Sequence, residues 1–235
     1  MGIADAVLAA EGGWLMGRYV PRAILGHLAE HLADEGVEDV DAIIAAVRRG
    51  ADHLIEEDAD LVIDAASRGE LGMSAVTLAA YRELEPRVGD ARAKELLSHA
   101  FARTLAGSMH WLGHQAARRG LDGVEAAWRR ASAAYGPYFE FEFTRPGDGS
   151  FEIIVRRCFF RDFMARHDAL DVTTVICVMD GNWMSALHPG RDGLVAERTE
   201  IMSLGDEACR FCMRACDDPT ARMRDVLGER GGDPG

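Results

Sequence analysis

Residues 139–155 read FEFEFTRPGDGSFEIIV, and the hydrophobic pattern of the chain changes within them. In 139–143, three phenylalanines alternate with two glutamates, and this period of two is typical of a half-buried β-strand. The sequence PGDG at 146–149 predicts a turn, and apolar residues alternate again in 151–155. The stretch therefore predicts an antiparallel β-hairpin.

Upstream of the hairpin, apolar residues recur at helical spacing. Pro21 opens the first predicted helix, Gly36 closes it, and a second helix follows from residue 40 towards residue 54. Ser74 is a good N-cap and begins the third helix, which ends near Pro86. The longest and most apolar helix is predicted from residue 91 to about residue 118.

Beyond the hairpin, short helices and strands are predicted in turn. Residues 158–167 and the run after Asp171 have a helical pattern, whereas 195–201 and 209–213 are strand candidates. The sequence therefore predicts an α+β fold. It has an N-terminal helical layer, then a small antiparallel sheet of about four strands with covering helices.

The pattern divides the chain into three regions: a helical region at 1–136, an α+β region with the cysteine motifs at 137–226, and a disordered tail at 227–235. No linker separates the first two regions, so we expect 1–226 to pack as one compact unit. Trp14 lies in a weakly patterned segment, where an exposed aromatic side chain would indicate an oligomer contact and hence a homo-oligomer.

The charge of the chain excludes one class of partner. A formal net charge of -13 and the lack of a Lys/Arg run argue against binding to nucleic acid. No apolar stretch is long enough to span a bilayer, and the N-terminus does not have the pattern of a signal peptide. We therefore expect a cytoplasmic protein with no membrane partner, whose five cysteines are free thiols.

Three sequence blocks in the α+β region carry possible chemistry. They are RCFF at 157–160, CVMD at 177–180, and an arginine strand that leads to GD at 205–206 and CRF at 209–211. Their order and spacing resemble the L-2-amino-thiazoline-4-carboxylate hydrolase family. The sequence departs from the family pattern at Phe159, where proline is expected, and at Arg210, where aspartate is expected.

The resemblance implies hydrolysis of a C–N bond in a small cyclic or amidine-like substrate that bears a carboxylate. We expect no cofactor. Cys158 is the preferred nucleophile, because a cysteine at a helix N-terminus has a lowered pKa. The catalytic candidates are Cys158, Cys177, Asp180, Cys209 and His167. The substrate-binding candidates are Arg157, Arg198 and Asp206.

Other interpretations of the cysteines stay open. A free cysteine often behaves as a small hydrophobic core residue. The spacing of Cys209, Cys212 and Cys216 is similar to that of metal or iron–sulfur ligands, but on a strand the first would oppose the other two. A metal held by Cys158, Cys177 and Cys209 together is a further alternative.

Two histidine pairs have i,i+4 spacing on predicted helices. They are His27 with His31, and His110 with His114. Four imidazoles could bind one metal ion if the two helices faced each other, although neither pair belongs to an HExxH motif. Paired histidines on helices are more often hydrogen-bonded or solvent-facing, so a metal is not favoured.

Two other functions remain as alternatives to hydrolysis. The first is a thiol-lined ligand-binding or sensor domain, because helices followed by a small sheet with late cysteines look similar to 4-vinyl-reductase-like domains. The second is a metalloenzyme that uses the cysteines or the histidine pairs. A small molecule is the expected partner in each case.

Overall fold

The computed structural model describes residues 15–147 and 149–230, so Trp14 and the end of the predicted tail, 231–235, lie outside the described residues. A π-helical turn, Leu15–Tyr19, leads into the first α-helix. The α-helices are α1 (Val20–Asp34), α2 (Val40–Glu57), α3 (Ala65–Val88), α4 (Asp90–Arg103), α5 (Ala106–Ala117), α6 (Gly120–Ala131), α7 (Phe159–Arg166), α8 (Thr173–Cys177), α9 (Asp180–Met184), α10 (Pro189–Asp192) and α11 (Val226–Arg230). The strands are β1 (Glu140–Thr144), β2 (Ser150–Arg157), β3 (Leu194–Glu200), β4 (Cys209–Ala215) and β5 (Arg224–Asp225).

Helix α3 is the longest helix described, and it begins earlier than Ser74. The side chain of Asp64 accepts a hydrogen bond from the Ser67 backbone N–H at 2.8 Å, and the Ser67 hydroxyl accepts one from the Asp64 N–H at 2.9 Å. This reciprocal capping box satisfies two backbone donors, so the helix starts at Ala65. Ser74 is instead a buried residue in the middle of the helix.

The predicted helix from 91 to about 118 is divided in two. Leu105 has a left-handed backbone with φ of 60°, which ends α4 and lets α5 leave in a new direction. Thr104 stabilises the break, because its hydroxyl donates to the Ala100 carbonyl at 2.8 Å. The break separates a helix that packs on α1 and α3 from one that packs on α6 and α9.

The strands form one sheet in the order β1-β2-β4-β3-β5. The predicted hairpin is confirmed: β1 and β2 are antiparallel, with Phe141 opposite Val155 and Phe143 opposite Ile153. The sheet has five strands and is mixed, because β5 runs parallel to β3. A strand of two residues is too short to produce an alternating pattern, so the sequence did not predict it.

One face of the sheet packs on the helices. Phe151, Ile153 and Met213 point to this inner face and are buried in a hydrophobic cluster that continues to Leu78 and Phe101 in the helical region. The outer face is charged: Arg210 pairs with Glu152 at 2.9 Å, and Arg214 pairs with Glu197 at 2.8 Å. The α+β fold class is therefore confirmed. Among the described residues, no helix has the length and apolar character needed to cross a bilayer.

Candidate functional site

Cysteines from three separate elements meet at one end of the inner sheet face. Cys158 is the N-cap of α7, Cys177 ends α8, and Cys209 begins β4. The last two contact neighbouring residues of one turn: the Met202 N–H donates to Cys209 Sγ at 3.4 Å, and Cys177 Sγ lies 4.0 Å from Ser203 Oγ. All three are free, half-buried thiols, and together they form the thiol cluster (Cys158, Cys177 and Cys209).

The thiols of the cluster are protonated at neutral pH. Burial raises the pKa of Cys158 well above its usual value, and the neighbouring Cys177 and Cys209 raise it further. Burial likewise raises the pKa of Cys177 to about 12 and that of Cys209 to about 11. The helix N-terminus does favour the Cys158 thiolate through backbone N–H groups, but desolvation outweighs it. The predicted lowering of the Cys158 pKa is therefore wrong.

Asp180 lies beside the thiol cluster, at the start of α9. Its Oδ1 accepts a hydrogen bond from the indole N–H of Trp183 at 3.2 Å, and its Oδ2 accepts one from Arg198 Nη1 at 3.0 Å. Burial raises the pKa of Asp180, whereas Arg198 opposes that rise. The carboxyl group can thus exchange a proton more readily than an exposed aspartate would near neutral pH.

Arg198 reaches this group from β3, and its donors bind the protein itself. Its side chain is almost completely buried, at 1% exposure. Nη1 donates to the Cys177 carbonyl at 3.0 Å as well as to Asp180, and Nε and Nη2 bind Asp225. The guanidinium also lies 5.6 Å from the centre of the Phe211 ring. Arg198 therefore positions the site, and these contacts occupy the groups that would bind a substrate carboxylate.

The other two predicted substrate-binding residues also have internal partners. Arg157 donates through Nη2 to the Pro137 carbonyl at 2.9 Å, and its guanidinium lies 4.9 Å from the centre of the Tyr138 ring. Asp206 accepts from the Ile201 N–H at 2.8 Å and from Arg230 at 2.6 Å. Both hold backbone segments that flank the thiol cluster, and their role in binding substrate stays a prediction.

His167 lies away from the thiol cluster, although it is the nearest histidine to Cys158 in sequence. It caps the C-terminal end of α7, whereas Cys158 caps the N-terminal end, and eight residues of helix separate them by roughly 12 Å. Its Nε2 lies 2.7 Å from Oδ2 of the fully buried Asp58. The structure therefore places His167 against the buried C-cap residue of α2, Asp58.

The histidine pairs lie in different parts of the fold. His31 stacks on His99 with ring centres 4.3 Å apart, in the packing of α1 on α4, whereas His114 on α5 lies 3.8 Å from Asp192. Cys212 is on the outer sheet face, opposite in direction to Cys209, as the strand alternation predicted. Within 15–147 and 149–230, no group of three or more His, Cys, Asp or Glu residues could hold a metal ion.

Glu70 and Tyr135 belong to the same neighbourhood, and the sequence did not single them out. Glu70 lies in α3 and is 1% exposed. Neither of its carboxyl oxygens has a hydrogen-bond partner among the described residues. Burial and the nearby Asp64 raise its pKa to about 9. Burial also raises the pKa of Tyr135, and the charges of Asp180, Glu70 and Cys158 raise it further.

An apolar cavity of about 560 Å³ opens beside these groups, between α5, α6 and α9. Trp128 and Trp183 form one wall, with ring centres 4.8 Å apart, and Tyr135 also lines it. Trp183 connects the cavity to the thiol cluster, because its indole N–H binds Asp180. Apolar pockets of this size with a few polar groups are typical small-molecule sites.

One family of known proteins matches the chain. The L-2-amino-thiazoline-4-carboxylic acid hydrolase family matches residues 69–213, which is more than half of the chain. The match begins in α3, well before the motif blocks, and it includes Glu70, Tyr135 and the thiol cluster. No curated protein matches the chain. The chain therefore belongs to the L-2-amino-thiazoline-4-carboxylic acid hydrolase family.

Proposed function

We propose that the protein is a hydrolase that opens a C–N bond in a small cyclic or amidine-like substrate bearing a carboxylate. Family membership supports hydrolysis. The observation that carries the proposal is the convergence of Cys158, Cys177 and Cys209 from three elements beside the half-buried Asp180. Core packing alone does not require three thiols and an acid at one place in the fold.

The protonated state of the thiols suits an amidine-like substrate. An amidine nitrogen is basic, so it takes the proton of Cys158, and the thiolate sulfur then bonds to the amidinium carbon. The resulting positive charge on the substrate favours the thiolate in a site of low dielectric. The ring C–N bond then breaks, its electron pair stays on the nitrogen, and a proton from Asp180 completes the amine.

Water completes the reaction. It adds to the carbon that is bound to Cys158, one of its protons returns to Asp180, and the C–S bond breaks to restore the thiol. The net change is the addition of one water molecule to the substrate. Arg198 acts as a positioning residue, because it binds both the Cys177 carbonyl and the Asp180 carboxyl group.

The test is turnover of L-2-aminothiazoline-4-carboxylate, followed by mass spectrometry as the gain of one water. Cys158→Ala should abolish ring opening, while its circular dichroism spectrum stays that of the wild type. Cys212→Ala is the matched control, because Cys212 lies on the outer sheet face, and it should keep full activity. Wild-type turnover by Cys158→Ala would remove Cys158 as the nucleophile.

A thiol-lined binding domain is the second candidate, favoured by the raised thiol pKa values. Such a domain would bind an aminothiazoline carboxylate in a calorimeter and leave it intact after prolonged incubation. Binding without ring opening would therefore replace the hydrolase by this candidate.

A further inference from the structure

Small side chains on one side leave the cavity between α5, α6 and α9 open. Small residues stand where α6 and the following turn face it, at Ala127, Ala131 and Ala134. Gly113 on the opposite side allows α5 to approach α9, since a Cβ there would lie 2.9 Å from Ala186 Cβ and 3.0 Å from the Trp183 carbonyl. Helices α5 and α9 therefore pack closely at Gly113. The alanines leave the adjacent space unfilled, where larger side chains would fill it.

The polar groups of the cavity lie at its two ends. Arg130 is the only charged residue among the described residues that line it, and it is exposed at the mouth. Its guanidinium makes no hydrogen bond or ion pair with any residue in the described part of the chain. On the buried side, Trp183 lines the cavity beside Tyr135 and donates a hydrogen bond to Asp180.

We propose that this cavity binds an aromatic carboxylate, with the apolar ring between Trp128 and Tyr135 and the carboxylate at Arg130. An arginine pairs well with a carboxylate, and the ring would contact aromatic faces in the enclosed part. The substrate of the hydrolase would then carry a bulky apolar group besides the ring that opens. This assignment of the substrate rests on the proposed function, whereas binding to the cavity does not.

The internal partners of Arg198 support placing the substrate carboxylate at Arg130. The arginine that the family resemblance suggested for the substrate carboxylate is bound by Asp180, Asp225 and the Cys177 carbonyl. Arg130 is the cationic group that remains free beside the cavity, among the residues described. A substrate carboxylate at Arg130 would leave the rest of the molecule directed towards Trp183 and the thiol cluster.

The test is isothermal titration of the whole protein with 2-naphthoate and with neutral 2-naphthamide. We expect saturable binding of 2-naphthoate to the wild type. Ala127→Phe fills the cavity and should weaken binding at least about tenfold. Ala126→Phe is the matched control, because Ala126 is exposed on the same helix and does not line the cavity. Melting temperatures show whether both variants fold.

The charge is tested separately. Arg130→Gln should weaken 2-naphthoate about tenfold, as expected for loss of a charged hydrogen bond, and should leave 2-naphthamide nearly unchanged. Ala131→Phe is a second filling variant in case Ala127→Phe does not fold. The proposal is overturned if the wild type does not bind 2-naphthoate, or if folded filling variants bind it as tightly as the control.

The two proposals fail differently. Ring opening of aminothiazoline carboxylate without binding of 2-naphthoate would leave the hydrolase and overturn the cavity assignment. Binding of 2-naphthoate without ring opening of any carboxylate-bearing amidine would leave the cavity site and remove the hydrolase. A wild-type dimer in sedimentation that does not bind the probe would also overturn the assignment.

Discussion

Two parallel hydrogen bonds join Arg198 to Asp225, from Nε to Oδ1 at 2.7 Å and from Nη2 to Oδ2 at 2.6 Å. Arg198 is buried in β3, and Asp225 belongs to β5, so the pair fastens the end of the described chain to the sheet. The remaining nitrogen, Nη1, binds the Cys177 carbonyl and Asp180. A single side chain therefore holds three segments around the thiol cluster.

Asp225→Asn should destabilise the fold because it removes the charge that compensates a buried guanidinium. Loss of one partner of a buried ion pair costs about 3 kcal/mol, and Asp225 itself is only 17% exposed. Urea denaturation followed by circular dichroism measures the free energy of unfolding. Asp217→Asn, a change at an exposed position, should have no such effect. Equal free energies for the two variants would contradict the structural role of the pair.

Glu70→Gln should stabilise the protein at neutral pH. Burial raises the pKa of Glu70 from 4.5 to about 9, so the folded state keeps a proton that the unfolded chain releases above about pH 4.5. Stability is therefore lost progressively as the pH rises from about 4.5 to about 9. Replacing the carboxyl group by an amide of the same shape removes that loss, a gain of roughly 3 kcal/mol at pH 7.

Urea denaturation at a series of pH values between 4 and 9 measures this gain. The wild type and Glu70→Gln should have similar stability near pH 4 and diverge as the pH rises. Glu56→Gln serves as the control at an exposed position of α2 and should follow the wild-type profile. Parallel profiles for the wild type and Glu70→Gln would show that the Glu70 carboxyl group ionises as it does in water.

Much of the sheet region could be predicted because its signals are local. Alternating phenylalanines predicted the hairpin, and the position of Cys158 after β2 predicted a helix N-terminus. Parts of the helical region could not be predicted this way. The left-handed Leu105 divides an apolar run that reads as one helix, and burial of Ser74 removes it from the surface where an N-cap would lie.

The residues of the candidate site that belong to the motif blocks could be predicted from the sequence. The residues whose interest depends on burial in the folded chain could not. The thiols and Asp180 meet, as their motif blocks implied. Glu70 is one glutamate among many in the sequence, and its interest arises only because its carboxyl group is buried without a partner. Arg198 was predicted to bind substrate, but its partner Asp225 lies on a strand that has no sequence pattern.

His167→Ala should lower stability and leave catalysis unchanged. The imidazole contacts the buried Asp58 at 2.7 Å, so its loss leaves a carboxylate with one partner fewer, at a cost of about 2 kcal/mol. The thiol cluster lies at the other end of α7, so kcat per folded molecule should equal that of the wild type. A hundredfold fall in kcat, with an unchanged melting temperature, would instead place His167 in the catalytic machinery.

Alkylation of the thiol cluster should be slow at pH 7 and accelerate with pH. Only the thiolate attacks iodoacetamide, and burial raises the pKa of Cys209 to about 11 and that of Cys177 to about 12. In this range each unit of pH increases the thiolate fraction tenfold, so site-specific rates from peptide mass spectrometry should rise tenfold from pH 7 to pH 8 and again to pH 9.

An aromatic or amidine ligand at the site should change the Cys158 rate more than the rate of Cys212, which faces away on the outer sheet surface. A Cys158 rate that levels off below pH 8 would mean that the helix N-terminus outweighs burial and that the resting enzyme carries a thiolate.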